Sequence, residues 1–161
     1  MKTTIKPKVL IALDYDPTAQ KVANAGYALA KSMNADVTLL HVMSDPVYFS
    51  SVENVPITGM TDSLGVDPLV FDADDRLKEV SQHFLDTIKH HLRDNSIETE
   101  LEEGDFADTI LMKAKGLGTD ILVMGSHSHR WLENIVMGSV TTKVLRLTSI
   151  PLFIVPTKNH D

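Results

Sequence analysis

The chain has 161 residues, 43% of them hydrophobic and 23% charged, which suits one domain with a full-sized core and is ordinary for a soluble globular protein. A formal net charge of -7 argues against a general nucleic-acid or anionic-membrane surface, although local N–H groups can still hold a small anion. There is no cysteine, so disulfides, thiolate metal sites and cysteine nucleophiles are excluded, and no apolar run is long enough to span a bilayer.

The first eight residues include basic ones, Lys2, Lys6 and Lys8, but the apolar run that follows is short and breaks at Asp14. It reads as a strand rather than a signal peptide, and the expected location is cytoplasmic. Residues 9–13, Val-Leu-Ile-Ala-Leu, are continuously apolar, as in a strand buried on both faces. Asp16-Pro17 reads as a helix N-cap followed by proline at the first helical position. Val22, Ala25, Leu29, Ala30 and Met33 then recur at helical spacing, and Asn34 is the expected stop. Residues 36–42 form a second strand, which completes a right-handed β-α-β unit.

The stretch from 44 to about 72 carries Pro46, Pro56, Gly59, Gly65 and Pro68 with little periodicity, and reads as a long loop. Helical spacing returns over 74–93, with Leu77, Val80, Phe84, Leu85, Ile88 and Leu92. Residues 97–102 alternate, which fits a strand with one exposed face. A helix over 106–117 turns Ile110, Leu111 and Ala114 inward and ends among Gly116, Gly118 and Thr119. Strands over 120–124 and 151–155 flank a last helix over 140–147. Alternation of this kind predicts an α/β domain: a doubly wound, five-stranded parallel sheet in the order 3-2-1-4-5, with helices on both faces. Ligands of such sheets bind outside the carboxyl ends of the strands, where strand order reverses, and Asp14, Val42, Gly104 and Gly125 lie at such ends.

The richest segment runs from Gly125 to Thr141. It follows the apolar residues 121–124 and leads through a polar loop into Gly138-Ser139 at a helix start. Unpaired N–H groups and the helix dipole favour an anion there. Ser139 is the expected cap, and the hydroxyls of Ser139 and Thr141 are expected phosphate donors. The bland alternative is strand-to-helix punctuation. His127 and His129, two apart in a loop, and His90-His91, on different helix faces, read as packing or solvent-facing residues rather than metal ligands. Trp131 reads as a hydrophobic plug, and the acidic run over 98–105 as a solvated strand face.

These segments together resemble the universal stress proteins of the UspA superfamily. The resemblance rests on Val-Leu-Ile-Ala-Leu-Asp ending at Asp14, Leu-Leu-His-Val ending at Val42, and Glu-Gly-Asp ending at Asp105. It rests further on the run from Asp120 to His127, on Met-Gly-Ser-Val-Thr ending at Thr141, and on the closing strand. It covers nearly the whole chain and implies one domain over 1–161 with an adenine nucleotide alpha hydrolase-like fold. The ATP-binding members carry glycine, two residues, glycine, nine residues, glycine, then serine or threonine. Gly125, the nine residues 129–137, Gly138 and Ser139 fit that pattern, and Ser128 replaces the second glycine. Serine adds a Cβ, which disfavours positive φ, but it keeps its N–H and adds a hydroxyl donor.

The resemblance implies ATP or another adenine nucleotide as ligand, with any Mg2+ arriving with the phosphates. Ala12 and Met124 would line the base pocket, Val42 would hold the base through its backbone, and Asp14 would meet ribose or base. Gly125, His127, Ser128, Gly138, Ser139, Val140 and Thr141 would surround ribose and phosphates. Arg130, in the same loop, could neutralise a pair of phosphate oxygens. No Gly-x-Ser-x-Gly elbow and no P-loop lysine is present, so any ATP hydrolysis is expected to be slow. The expected role is a stress-response sensor or switch rather than a metabolic enzyme. The alternatives are a non-nucleotide-binding, dimeric interaction protein of the same fold, or a slow ATPase. The resemblance also implies a homodimer paired through the last strand, whose apolar edge is an association hazard if left bare.

Overall fold

The computed structural model describes residues 4–43, 69–126 and 138–157, and the side chains of all of these except 69–73. Among the described residues nine elements follow in order: β1 (Lys8–Leu13), α1 (Ala19–Ser32), β2 (Asp36–Met43), α2 (Leu69–Leu92), β3 (Glu98–Glu103), α3 (Phe106–Gly116), β4 (Ile121–Gly125), α4 (Ser139–Leu147) and β5 (Leu152–Val155). The strands form one sheet in the order β3-β2-β1-β4-β5, and every pairing is parallel. The doubly wound topology expected from the alternation is therefore the one observed.

The central strands are apolar on both sides because both sides are covered. Val9, Ile11, Leu13, Leu39 and Val123 pack with Val22 and Ala23 of α1 and with Leu85 and Ile88 of α2. Leu10, Ala12, Leu40, Val42, Leu122 and Met124 pack on the other face with Ala107, Ile110 and Ala114 of α3 and Val144 of α4. Fully burying an aliphatic side chain of this size contributes about 1.5–3 kcal/mol, so these two layers dominate the fold's stability. α1 lies especially close to the sheet. A Cβ added at Gly26 would stand 2.8 Å from Ile11 Cδ1 and 3.0 Å from Val123 Cγ1.

Several boundaries differ from the sequence reading, each for a local reason. Asp16 does not cap α1. Its side chain accepts from the Thr18 N–H (2.8 Å) and hydroxyl (2.7 Å), forming a turn that delays the helix until Ala19 and leaves Pro17 outside it. Asn34 is a helix stop, at φ 52, as expected. α2 begins at Leu69, so residues 69–72 are helical rather than the end of the long loop; the remainder of that loop, 44–68, lies outside the described residues. Val80 matches the helical spacing but is 51% exposed, while Ser81 is buried in its place. Ser139 is not the cap of α4. Gly138 holds the N-cap position, and Ser139 is the first helical residue.

The turn between α2 and β3 is tied to α1 by one carboxylate. Asp94 accepts from the Ser96 hydroxyl (2.6 Å) and N–H (2.9 Å) and from the Tyr27 hydroxyl (2.7 Å). The hydrogen bonds from Ser96, then that from Tyr27, hold the Asp94 carboxyl down to about 2.

Candidate functional site

A cleft of about 650 Å3, measured with its open mouth, lies at the carboxyl ends of β1, β2 and β4. β1 and β4 are neighbours in the sheet, and their chains leave to opposite faces: β1 leads into α1, while β4 leads toward α4. Helices that follow neighbouring strands on opposite faces leave a crevice between them, which is the general reason such sheets bind ligands at this point.

The floor and walls are mostly apolar. Ala12, Leu40, Val42, Phe106, Ile110 and Met124 come from the layer under α3 and α4. The rim carries the polar groups: Asp14, Asp16, Thr18, Gly125 and Thr141. An apolar slot with a few convergent polar groups suits a planar organic group bearing a polar appendage.

Seven residues expected at the site from the sequence line this cleft together: Ala12, Asp14, Val42, Met124, Gly125, Val140 and Thr141. His127, Ser128 and Arg130 lie outside the described residues. Gly138 and Ser139 are described but do not line the cleft itself; they stand beside it, at the start of α4. Sequence reasoning missed Leu40, Phe106 and Ile110, which supply much of the apolar wall. Two of these were legible only as core positions, since the apolar run of β2 and the spacing of α3 do not say which core residue faces a cavity.

The polar groups are already partly committed. One Asp14 carboxylate oxygen accepts the Tyr15 N–H at 2.9 Å, and the Asp14 carbonyl accepts the Asp16 N–H at 2.8 Å. Asp14 thus both shapes the turn after β1 and presents a carboxylate at the rim. Thr141 is buried, and its hydroxyl donates to the Gly125 carbonyl at 2.9 Å. Its proton is taken up by the fold, so it meets the cleft as a fixed acceptor rather than the free donor expected from the sequence. The Gly138 N–H is engaged too, by the Ser126 carbonyl at 2.7 Å. In α4 the first intrahelical bond runs from the Thr142 N–H to the Gly138 carbonyl (2.9 Å), so the amides of Ser139, Val140 and Thr141 precede any intrahelical acceptor and form the positive end of the helix dipole.

The opposite wall is set by α3. Asp105 caps it by accepting the Asp108 N–H at 3.0 Å, and Lys143 of α4 reaches both Asp105 and Asp108 at 3.2 Å. The Asp108 N–H, and then Lys143, hold the Asp105 carboxyl below its ordinary value. The two helices that flank the cleft are thereby joined by ion pairs. At Gly104, φ is +143, and an added Cβ would sit 2.8 Å from Thr109 Oγ1, so the turn from β3 into this cap calls for glycine. Among the described residues, no group of three or more His, Asp or Glu side chains is placed to hold a metal ion.

Comparison with known proteins gives a consistent picture. A family model described as "Universal stress protein family" matches residues 7–156. The chain is 28% identical to universal stress protein YxiE of Bacillus subtilis, over 92% of this chain and 97% of that protein. It is 27% identical to universal stress protein MJ0577 of Methanocaldococcus jannaschii, over 94% and 96%. The solved structure of MJ0577 superposes with a TM-score of 0.73, covering 96% of this chain and 98% of that one. A universal stress protein solved in complex with cAMP shares the fold, at 17% identity and a TM-score of 0.57 over 95% of this chain and 98% of its own.

Proposed function

The chain belongs to the universal stress protein family, and from that premise we propose that its cleft binds an adenine nucleotide and that the protein works as a cytoplasmic stress-response sensor or switch. The observation that carries this reading is the junction of an apolar slot with a helix N-terminus. The slot of Ala12, Leu40, Val42, Ile110 and Met124 suits a purine, and the Val42 backbone offers edge hydrogen bonds to it. Asp14 at the rim is placed for ribose hydroxyls. Phosphates then lie toward Gly125 and the amides of Ser139, Val140 and Thr141, where the α4 dipole offsets their charge. His127, Ser128 and Arg130 complete the phosphate surround in this proposal, and any Mg2+ arrives with the phosphates. A bound nucleotide touches β1, β2, β4 and α4 at once, which is what a ligand needs to bias a conformation. The cAMP complex of a fold relative makes a cyclic nucleotide a ligand to test alongside ATP.

The test is calorimetric titration with Mg-ATP, AMP and cAMP, on the native chain and on Gly138→Asp. Gly138 sits at φ -63, ψ 156, where any residue is comfortable, and aspartate is a favoured N-cap. The backbone there accepts the change, and the variant's carboxylate opposes a phosphate; a thermal melt of the variant checks that the buried position tolerates it. Micromolar ATP binding that weakens about 30-fold or more in the variant is the expected result. Absence of binding by all three ligands sinks the nucleotide reading.

A second reading is favoured by β5. This edge strand carries no charge, and Phe153 on it is 39% exposed. Dimerisation through Leu152–Val155, with partner binding as the work of the protein, would account for that surface without a nucleotide.

A further inference from the structure

Ser126, one residue past the end of β4, is the point where three segments meet. Its N–H donates to the Val155 carbonyl at 2.9 Å, and its carbonyl accepts the Gly138 N–H at 2.7 Å. Its Oγ accepts the Thr157 N–H at 3.0 Å and lies 3.2 Å from Thr157 Oγ1, within hydroxyl–hydroxyl bonding distance. Thr157 is buried and Ser126 half-buried, so this contact is partly sheltered from competing water. One residue earlier, the Gly125 carbonyl holds the Thr141 hydroxyl. The start of α4 thus hangs on Gly125 and Ser126, and Ser126 in turn is bonded to the segment that leaves the edge strand β5.

We propose that Ser126 and Thr157 are positioning residues for the phosphate end of the cleft, holding the α4 N-terminal amides in register with β5. Neither side chain need touch the ligand. Amides arranged in advance bind an anion without reorganising, and small displacements of such donors are costly. An event that shifts β5 at the sheet edge is then transmitted to the phosphate end through this hydroxyl pair, which gives the clasp a regulatory use. Its effect on affinity rests on the nucleotide reading, but the clasp itself can be judged without any ligand.

The experiment uses Ser126→Ala, Thr157→Val and the conservative Ser126→Thr in the full chain. Amide hydrogen exchange is followed at Gly138 and Thr142 without nucleotide, and Mg-ATP and adenosine are titrated separately. None of these substitutions removes the backbone hydrogen bond from Gly138 itself, so faster exchange at these amides reports lost positioning. Exchange is expected to rise about tenfold in Ser126→Ala and Thr157→Val and to stay near native in Ser126→Thr. ATP affinity is expected to fall about 5–20-fold in the first two variants with adenosine nearly unchanged. Unaltered exchange overturns the proposal, as does an equal loss for ATP and adenosine, which marks general destabilisation. If the native chain binds neither ligand, the nucleotide reading fails, and the exchange result alone supports or overturns the clasp.

Discussion

The sheet has two edges, and they are built oppositely. At one end, β3 reads Glu-Thr-Glu-Leu-Glu-Glu. Its Glu100 and Glu102 share Lys113 of α3, at 3.0 and 2.8 Å. At the other end, β5 reads Leu-Phe-Ile-Val, with Phe153 partly exposed. Among the described residues, each of these strands has a sheet partner on one side only. A second copy approaching β3 meets a line of carboxylates, whereas one approaching β5 buries apolar surface and repels nothing. The difference teaches that one parallel sheet can carry a charged edge at one end and an apolar edge at the other without any change of topology.

The most severe way to break this contrast is to charge the open edge. Phe153→Lys is expected to weaken the proposed dimer by about 100-fold or more, read as monomer by size-exclusion chromatography with light scattering at micromolar concentration. A native chain that is already monomeric under those conditions sinks the β5 dimer. The reverse change is next: Glu98→Val with Glu103→Val makes β3 resemble β5, and light scattering should then show species larger than the native protein at tens of micromolar. Both glutamates are exposed, so core packing is not disturbed.

Asp94 sharpens the comparison from behind the charged edge, because it anchors the turn that feeds β3 to Tyr27 of α1. Its carboxyl is depressed from 3.8 to about 2, so the folded state favours the ionised form. That stabilisation is present above the unfolded value and is lost as pH falls from about 4 through 2. Asp94→Asn should cost about 1 kcal/mol at pH 7, allowing for partial exposure, and little at pH 2, read by urea melts at the two pH values. Lys113→Met is the mildest variant for stability. The pairs are partly exposed, so the loss is about 0.5 kcal/mol and should shrink in 1 M salt, as the like-charged Glu100 and Glu102 are screened. At the ligand end, Ser128→Gly restores the family's glycine and is expected to tighten ATP by a few-fold in the same titration.

The site was legible where a residue's role follows from its place along a strand. Asp14, Val42 and Gly125 lie at strand ends, which are marked by where an apolar run stops, whereas Ala12 and Met124 were expected only from the family resemblance. The wall residues Leu40, Phe106 and Ile110 were not legible as site residues. They are apolar positions like any others until helix α3 is laid beside the sheet. Helix starts were misjudged for a related reason. Asp16 and Ser139 both belong to the types that cap helices, yet Asp16 commits its side chain to Thr18 and Ser139 falls one residue inside α4. Which of several competent residues takes a cap depends on how the preceding turn closes.

The amino-acid sequence by itself determined the alternation of strand and helix, the two-faced burial of the central strands and the parallel sheet. Those properties follow from short-range apolar periodicity, which any local window reports. Only the tertiary structure decided that the Thr141 proton goes to Gly125, that the Gly138 N–H goes to Ser126, and that Ser126 reaches Thr157, 31 positions along the chain. Hydrogen-bonding groups are interchangeable in sequence, and a partner is chosen by distance and direction after the strands and helices have packed.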